Sequence, residues 1–270
     1  MNFFSVSKVC RAGVSIVLFL LATAVNAGAV LDRNVESGTI RIGMSGDQPP
    51  MNARAINGQT IGLEVDYANL LARAIGVDLE IVNVPFGELE SALRDGKIDV
   101  VMSGMSITPE RARTMAFVGP YLMSGKSLVT RQSVLAAADD PEDISRKEVK
   151  IAVLANSTSQ SFVERHASAA TVVPVANYDE AIQMLIKDEV SAMVADMPAC
   201  LLAVLRNPQA GLMTTTQPLK IEPIGLALDA SDAQLHNLLE NYVGALERSG
   251  VMGMLRKKWF ENGDWIKLLP

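Results

Sequence analysis

Apolar and polar positions alternate along this chain in blocks that switch repeatedly between strand and helix spacing. Residues 39–44 (TIRIGM) predict a strand, broken by the loop Ser45-Gly46-Asp47-Gln48-Pro49-Pro50. Gly58 and Gly62 bound a short turn. From 63 to 75 the apolar residues Leu63, Val65, Tyr67, Leu70, Leu71 and Ile75 recur at helical spacing, and Gly76 is the residue type that ends such a helix most readily. Residues 77–84 (VDLEIVNV) alternate like a strand, 86–93 with Gly96 predict a short helix, and 98–102 form an apolar run of the kind buried in a parallel sheet. Three strand–helix alternations point to an α/β unit with its ligand loops at the carboxyl ends of the strands.

The next stretch, 103–121 (SGMSITPERARTMAFVGPY), carries unusual chemistry. Thr108 suits a helix N-cap and Pro109 the first helical position, which predicts a helical turn containing Arg111. A cation at the positive end of a helix dipole is mildly unfavourable and calls for a partner; a small anion bound by the guanidinium and free backbone N–H groups would supply it. Residues 127–131 (SLVTR) predict a strand leading into an acidic segment, 139–143 (DDPED). That segment contains a proline and lacks calcium-loop spacing, so it reads as a solvated connector.

The α/β pattern then restarts. Strands are expected at 149–154, 171–175 and 191–194, the last leading to Asp196, with helices at 159–167, 178–186 and 198–205. Residues 223–228 (PIGLAL) predict another strand, followed by a long amphipathic helix over 231–249, broken by Gly250, and a shorter one over 251–260. Trp259, Phe260 and Trp265 read as structural anchors for this tail.

Composition narrows the function. Lys8 and Arg11 precede the apolar run 12–25, and Val25-Asn26-Ala27 offers small residues for cleavage, so residues 1–27 read as a secretory signal removed near Ala27. Cleavage would remove two basic and no acidic residues, moving the formal net charge from −6 to −8. This acidity argues against a nucleic-acid partner. Cys200 would be the one remaining cysteine, which leaves no intramolecular disulfide, and its setting (ACLLAV) is that of a core residue. His166 and His236 stand far apart on helices without companion ligands, so no metal site is expected. No cofactor motif and no catalytic triad are apparent.

Three features suit one small ligand. Arg111 with Ser106 favours an anion, although such an arginine also occurs as a plain surface residue. Ser157 followed by Gln160 fits a capping box, which opens a helix whose free N–H groups, with Thr158 and Ser159, favour a second anion contact. Asp196, at a strand end, favours an ammonium or caps the helix beyond it. An arginine, two helix N-termini and an aspartate are an inventory for a zwitterion such as a free amino acid.

These segments also carry a family resemblance. GLEVD (62–66), ALRDG (92–96) with Asp99, GMSITPER (104–111) and FVGPY (117–121) resemble the amino-acid-type extracellular solute-binding proteins, the periplasmic components of polar amino-acid import systems, over nearly all of 37–265. The resemblance implies a two-lobed α/β clamshell of type II with two hinge crossings. Lobe one would comprise 28–128 plus 224–270 and lobe two 129–223. It further implies a periplasmic monomer that delivers its ligand to an ABC transporter permease. Arg111 would take the ligand carboxylate with Ser106, Thr158 and Ser159. Asp196, with Ser106 and the carbonyl of Ser103 or Gly104, would take the ammonium, and Phe86 would pack beside the side chain. Many relatives carry aromatic residues where Gln48 and Met51 stand, so a more polar, roomier wall including Ser45, Asp47 and Gln48 is expected. The alternative is a secreted cyclohexadienyl dehydratase on the same scaffold, acting on prephenate or arogenate. Such enzymes resemble this family, but the glutamate expected three residues after Asp196 is Ala199 here.

Overall fold

The structure, a computed structural model, describes residues 28–270, so the expected signal segment lies outside the described residues. Two α/β halves share one long sheet. In the first half Thr39–Met44 pairs in parallel with Asp78–Asn83 on one side and with Val100–Val101 on the other. In the second half Lys150–Leu154 pairs in parallel with Ala192–Asp196 and with Thr171–Val175. Between the halves run two long antiparallel strands, Ala116–Thr130 and Lys220–Leu228, which pair with each other and carry the chain across. This is the two-lobed clamshell with two crossings.

The helix over Leu63–Ile75 shows how local sequence sets the elements. Its apolar stripe, Leu63, Tyr67, Ala68 and Leu71, is buried against Ile40 and Ile42, and Gly76 ends it at φ 83°, a geometry that favours glycine. Leu235 and Leu239 of the long helix Ala233–Arg248 close the same core on the same face of the sheet, where the Tyr242 hydroxyl donates to the carbonyl of Leu70 at 2.8 Å. A second core gathers Leu128, Ile151, Val153, Phe162, Val163 and Val194. A third runs from Phe86, Leu89 and Val101 to Leu154, Met193 and Cys200, so apolar packing continues from one half into the other. Each fully buried large aliphatic side chain contributes about 1.5–3 kcal/mol relative to exposure.

Two expectations need correction. Residues 127–131 do not form a separate strand: they finish the single strand Ala116–Thr130. Ser124, Gly125 and Lys126 look like a break in sequence, but all three pair with Lys220–Leu228 and Lys126 pairs with Asp196 as well, so tertiary contacts override local propensity. Nor does Arg111 open an α-helix. Thr108 does receive the Arg111 N–H, at 3.2 Å, yet the turn is a 3-10 segment, Arg111–Arg113, too short for a useful macrodipole. The acidic connector forms a capped turn, Pro141–Ile144, closed by Asp140 and Asp143.

Candidate functional site

Four strand ends converge on the cleft between the lobes. The Thr39–Met44 strand ends at the Ser45–Gln48 loop, Val100–Val101 at Ser103 and Gly104, Lys150–Leu154 at Ser157, and Ala192–Asp196 at Asp196 itself. Arg111 bridges the mouth. Its guanidinium donates to the carbonyl of Ser106 on its own lobe and to that of Asn156 on the opposite lobe, each at 3.2 Å. The same guanidinium carbon lies 5.7 Å from the centre of the Phe86 ring, so Phe86 supports the arginine from below. Burial pulls the Arg111 pKa below its ordinary range, against the attraction of Glu222, Glu90, Glu110 and Asp196. No carboxylate pairs with Arg111 directly among the described residues. It is a half-buried cation whose hydrogen bonds all go to neutral carbonyls.

The opposing wall is the N-terminus of Thr158–His166. Ser157 caps it, accepting the Gln160 N–H at 3.2 Å, while the Gln160 side chain reaches back to the N–H of Asn156 and not to that of the cap residue. Asn156 itself sits at φ 58°, which asparagine tolerates better than most residues and which turns its carbonyl toward Arg111. The Thr158 and Ser106 hydroxyls meet across the cleft at 3.1 Å, and Ser159 is buried one residue further along. The sequence-predicted anion contacts therefore do come together.

The loop behind them is held by Glu64. This fully buried carboxylate accepts the Gly104 N–H at 2.7 Å, the Asn52 amide at 2.5 Å and the Tyr121 hydroxyl. Burial pushes its pKa up, and those three donors oppose the shift. Ser103 is spent on the same framework, taking the Ser45 N–H at 3.0 Å. Gly104 is needed where it stands: at φ 59°, a Cβ there would come within 2.6 Å of the Gln48 side chain. Gln48 donates to Ser45 at 3.1 Å, so Ser45, Gln48, Ser103 and Gly104 make one preorganised wall.

The cleft floor departs from expectation. Asp196 stands at the start of the helix Met197–Arg206 without capping it by its side chain. Its carboxylate instead takes the ammonium of Lys126 at 2.8 Å, and Lys126 also lies 3.3 Å from Glu222. Burial works against the Glu222 charge, but Lys126, the Thr158 and Ser106 hydroxyls and Lys220 outweigh it and hold the carboxyl at about 2. Lys126, Glu222 and Ser124 were not singled out from the sequence. Their signal is weak but present: alternate residues of the two crossing strands (Ser124 and Lys126, Lys220 and Glu222) are polar, which marks one face of an otherwise apolar ribbon.

With this geometry in hand, comparison with known proteins is informative. Residues 40–262 match the family model for bacterial extracellular solute-binding proteins, family 3. The chain belongs to that family. Among its relatives, cyclohexadienyl dehydratase of Pseudomonas aeruginosa is 27% identical over 231 residues, covering 86% of each chain. The L-arginine-binding protein of the same organism is 28% identical over 230 residues, covering 82% of this chain and 87% of that protein. Among solved structures, the ancestral amino acid-binding protein described as a precursor of cyclohexadienyl dehydratase superposes with a TM-score of 0.77 at 30% identity, covering 85% of this chain and 99% of its own.

In this solute-binding protein the innermost part of the cleft is tight, not roomy. A cavity of about 20 Å³ remains between Gln48, Met51, Gly104, Ser124, Tyr178, Asp196 and Ala199. Tyr178, from the second lobe, supplies the aromatic wall that positions 48 and 51 lack. On the Arg111 side the cleft widens to about 990 Å³, lined by Arg111, Asn156, Thr158, Gln160, Lys220 and Glu222. Asp47, on the other side, has one carboxylate oxygen buried without a hydrogen-bond partner, and burial raises its pKa despite the nearby Ser45. Among the described residues no His, Cys, Asp and Glu cluster suits a metal ion, and no helix is long and apolar enough to cross a membrane. Cys200 is buried and free, its thiol pushed up to about 12 by burial and by Asp196.

Proposed function

We propose that this solute-binding protein is a periplasmic, monomeric receptor. It captures an amino acid or a similar small carboxylate between its lobes and delivers it to the permease of an ABC importer. The observation that carries the reading is Arg111, whose hydrogen bonds reach one carbonyl on each lobe and whose charge has no carboxylate partner among the described residues. An anion arriving there is gripped from both sides, so binding favours the closed arrangement over the open one. The ligand carboxylate takes the guanidinium, the Ser106 and Thr158 hydroxyls and the N–H groups around Ser159. Phe86 packs nearby, Ser45, Gln48, Ser103 and Gly104 form the wall, and an ammonium, where the ligand has one, falls to Asp196. The division into 28–128 plus 224–270 and 129–223, with removal of residues 1–27, belongs to the same proposal. No chemistry beyond capture and release is required of these groups.

A thermal-shift panel of amino acids and small carboxylic acids tests this reading. A ligand at a thousand times its Kd adds about 4 kcal/mol of stability. For a chain of this size that corresponds to roughly 8–16 °C in Tm. A panel without any shift would refute it. The dehydratase reading is favoured by one relative and by Asp47, a carboxyl that burial holds toward its protonated form in a cavity it shares with Tyr178 and Ala199. Incubation with prephenate or arogenate decides between the two: capture predicts no turnover.

A further inference from the structure

The two poles of the cleft are unequally satisfied. At one pole Arg111 meets only carbonyl oxygens. At the other, Asp196 already holds an ammonium belonging to the chain, that of Lys126, at 2.8 Å. Lys126 is 2% exposed and comes from the crossing strand, in register opposite Asp196. The second carboxylate of the floor, Glu222, lies 3.3 Å from both Lys126 and Lys220, although its Oε2 accepts no hydrogen bond. On the floor Lys126 and Lys220 therefore face Asp196 and Glu222, Arg111 is left with carbonyls, and burial disfavours the charged form of Asp47. One further group points to what fills the space beside Asp196. The Ser124 hydroxyl is buried without a hydrogen-bond partner, and Ser124 lines the same small cavity as Asp196, Gln48 and Tyr178.

From this asymmetry, which rests on the reading of Arg111 as the carboxylate clamp, we infer that Lys126 sets ligand specificity: it occupies the ammonium position itself, so the preferred ligand is a small organic acid with a neutral hydroxyl or oxo group where an amino acid carries its ammonium. A ligand ammonium brought to Asp196 has to share that carboxylate with Lys126 and meets a like charge beside it. A 2-hydroxy or 2-oxo acid brings no such charge. Its carboxylate compensates Arg111, and its neutral oxygen can accept from or donate to Ser124. Lys126 acts here on the ligand's α-substituent, while Glu222 holds the lysine in place.

The test is calorimetric titration of the purified protein with matched sets that differ at the α position alone. Suitable sets are L-alanine, lactate and pyruvate; L-leucine and 2-hydroxyisocaproate; L-phenylalanine, phenyllactate and phenylpyruvate; and L-glutamate and 2-oxoglutarate. Within the best-bound set, the hydroxy or oxo acid is expected to bind at least tenfold more tightly than the amino acid. Lys126→Gln, which frees Asp196, should shift that ratio at least tenfold toward the amino acid. Removing Lys126 leaves two carboxylates facing each other, so the charge-balanced pair Lys126→Gln with Glu222→Gln is measured alongside and should show the same shift. Tenfold tighter binding of the amino acid by the native protein, or a ratio unmoved by either Lys126 variant, would overturn the inference while leaving the receptor reading intact. Absence of binding by every compound would overturn both.

Discussion

Replacing Arg111 with methionine removes the guanidinium but keeps an unbranched chain in its place. Two opposed terms govern the ligand-free protein. The guanidinium makes two hydrogen bonds to carbonyls, at Ser106 and Asn156, each contributing about 1.5–3 kcal/mol because the donor is charged. Against them stands the cost of holding an unpaired cation away from water, several kcal/mol for a fully buried ion and less for this half-buried one. The terms offset, and ligand-free stability should change by about 1 kcal/mol. The complex has no such compensation. A ligand carboxylate left without its partner costs about 3–5 kcal/mol, which is roughly 150- to 4,000-fold in Kd. Calorimetric titration of the native and Arg111→Met proteins measures the second quantity, and urea denaturation without ligand the first. An affinity loss below tenfold would refute the carboxylate role. A stability loss beyond about 3 kcal/mol would instead make Arg111 a strut between the lobes.

Other outcomes follow from the supporting groups. Glu64→Ala strands the Gly104 N–H, the Asn52 amide and the Tyr121 hydroxyl in the core and should cost about 3–5 kcal/mol in urea denaturation; a loss under 1 kcal/mol would mean that the loop does not depend on this carboxylate. Glu222 is held at about 2 in the folded protein against an ordinary 4.5. Its stabilising contribution is therefore complete above the unfolded value and lost as pH falls from about 4.5 toward 2. The stability gap between native protein and Glu222→Gln should accordingly shrink between pH 7 and pH 3, and a gap independent of pH would contradict the pairing with Lys126. Cys200, buried and with its thiol pushed up to about 12, should react with a thiol reagent at pH 8 at least a hundredfold more slowly in the folded protein than in urea.

Sequence revealed the parts of this fold that are governed locally. The Leu63–Ile75 helix is announced by its apolar spacing and by Gly76, and the paired α/β blocks by the punctuation between them. Arg111, Ser106 and Thr158 could be brought to one site because each sits at the end of a readable element, whereas Phe86 entered only through the family resemblance. What escaped is held by partners distant in the chain. Ala116–Thr130 is continuous because Lys220–Leu228 and Ala192–Asp196 flank it, and nothing in Ser124-Gly125-Lys126 by itself predicts a strand. The Lys126 pairings span 70 residues to Asp196 and nearly a hundred to Glu222, so Asp196 looked free when read alone. Tyr178 was legible as a helical residue and not as a cleft wall, since that role depends on the second lobe meeting the first.

The central claim is that one small carboxylate sits between the lobes on Arg111. A crystal structure of the protein with the compound that stabilises it most tests this directly. The account predicts the ligand carboxylate within hydrogen-bond distance of the Arg111 guanidinium and of the Ser106 and Thr158 hydroxyls. A ligand seated away from Arg111, or a carboxylate turned toward Asp47, would contradict it.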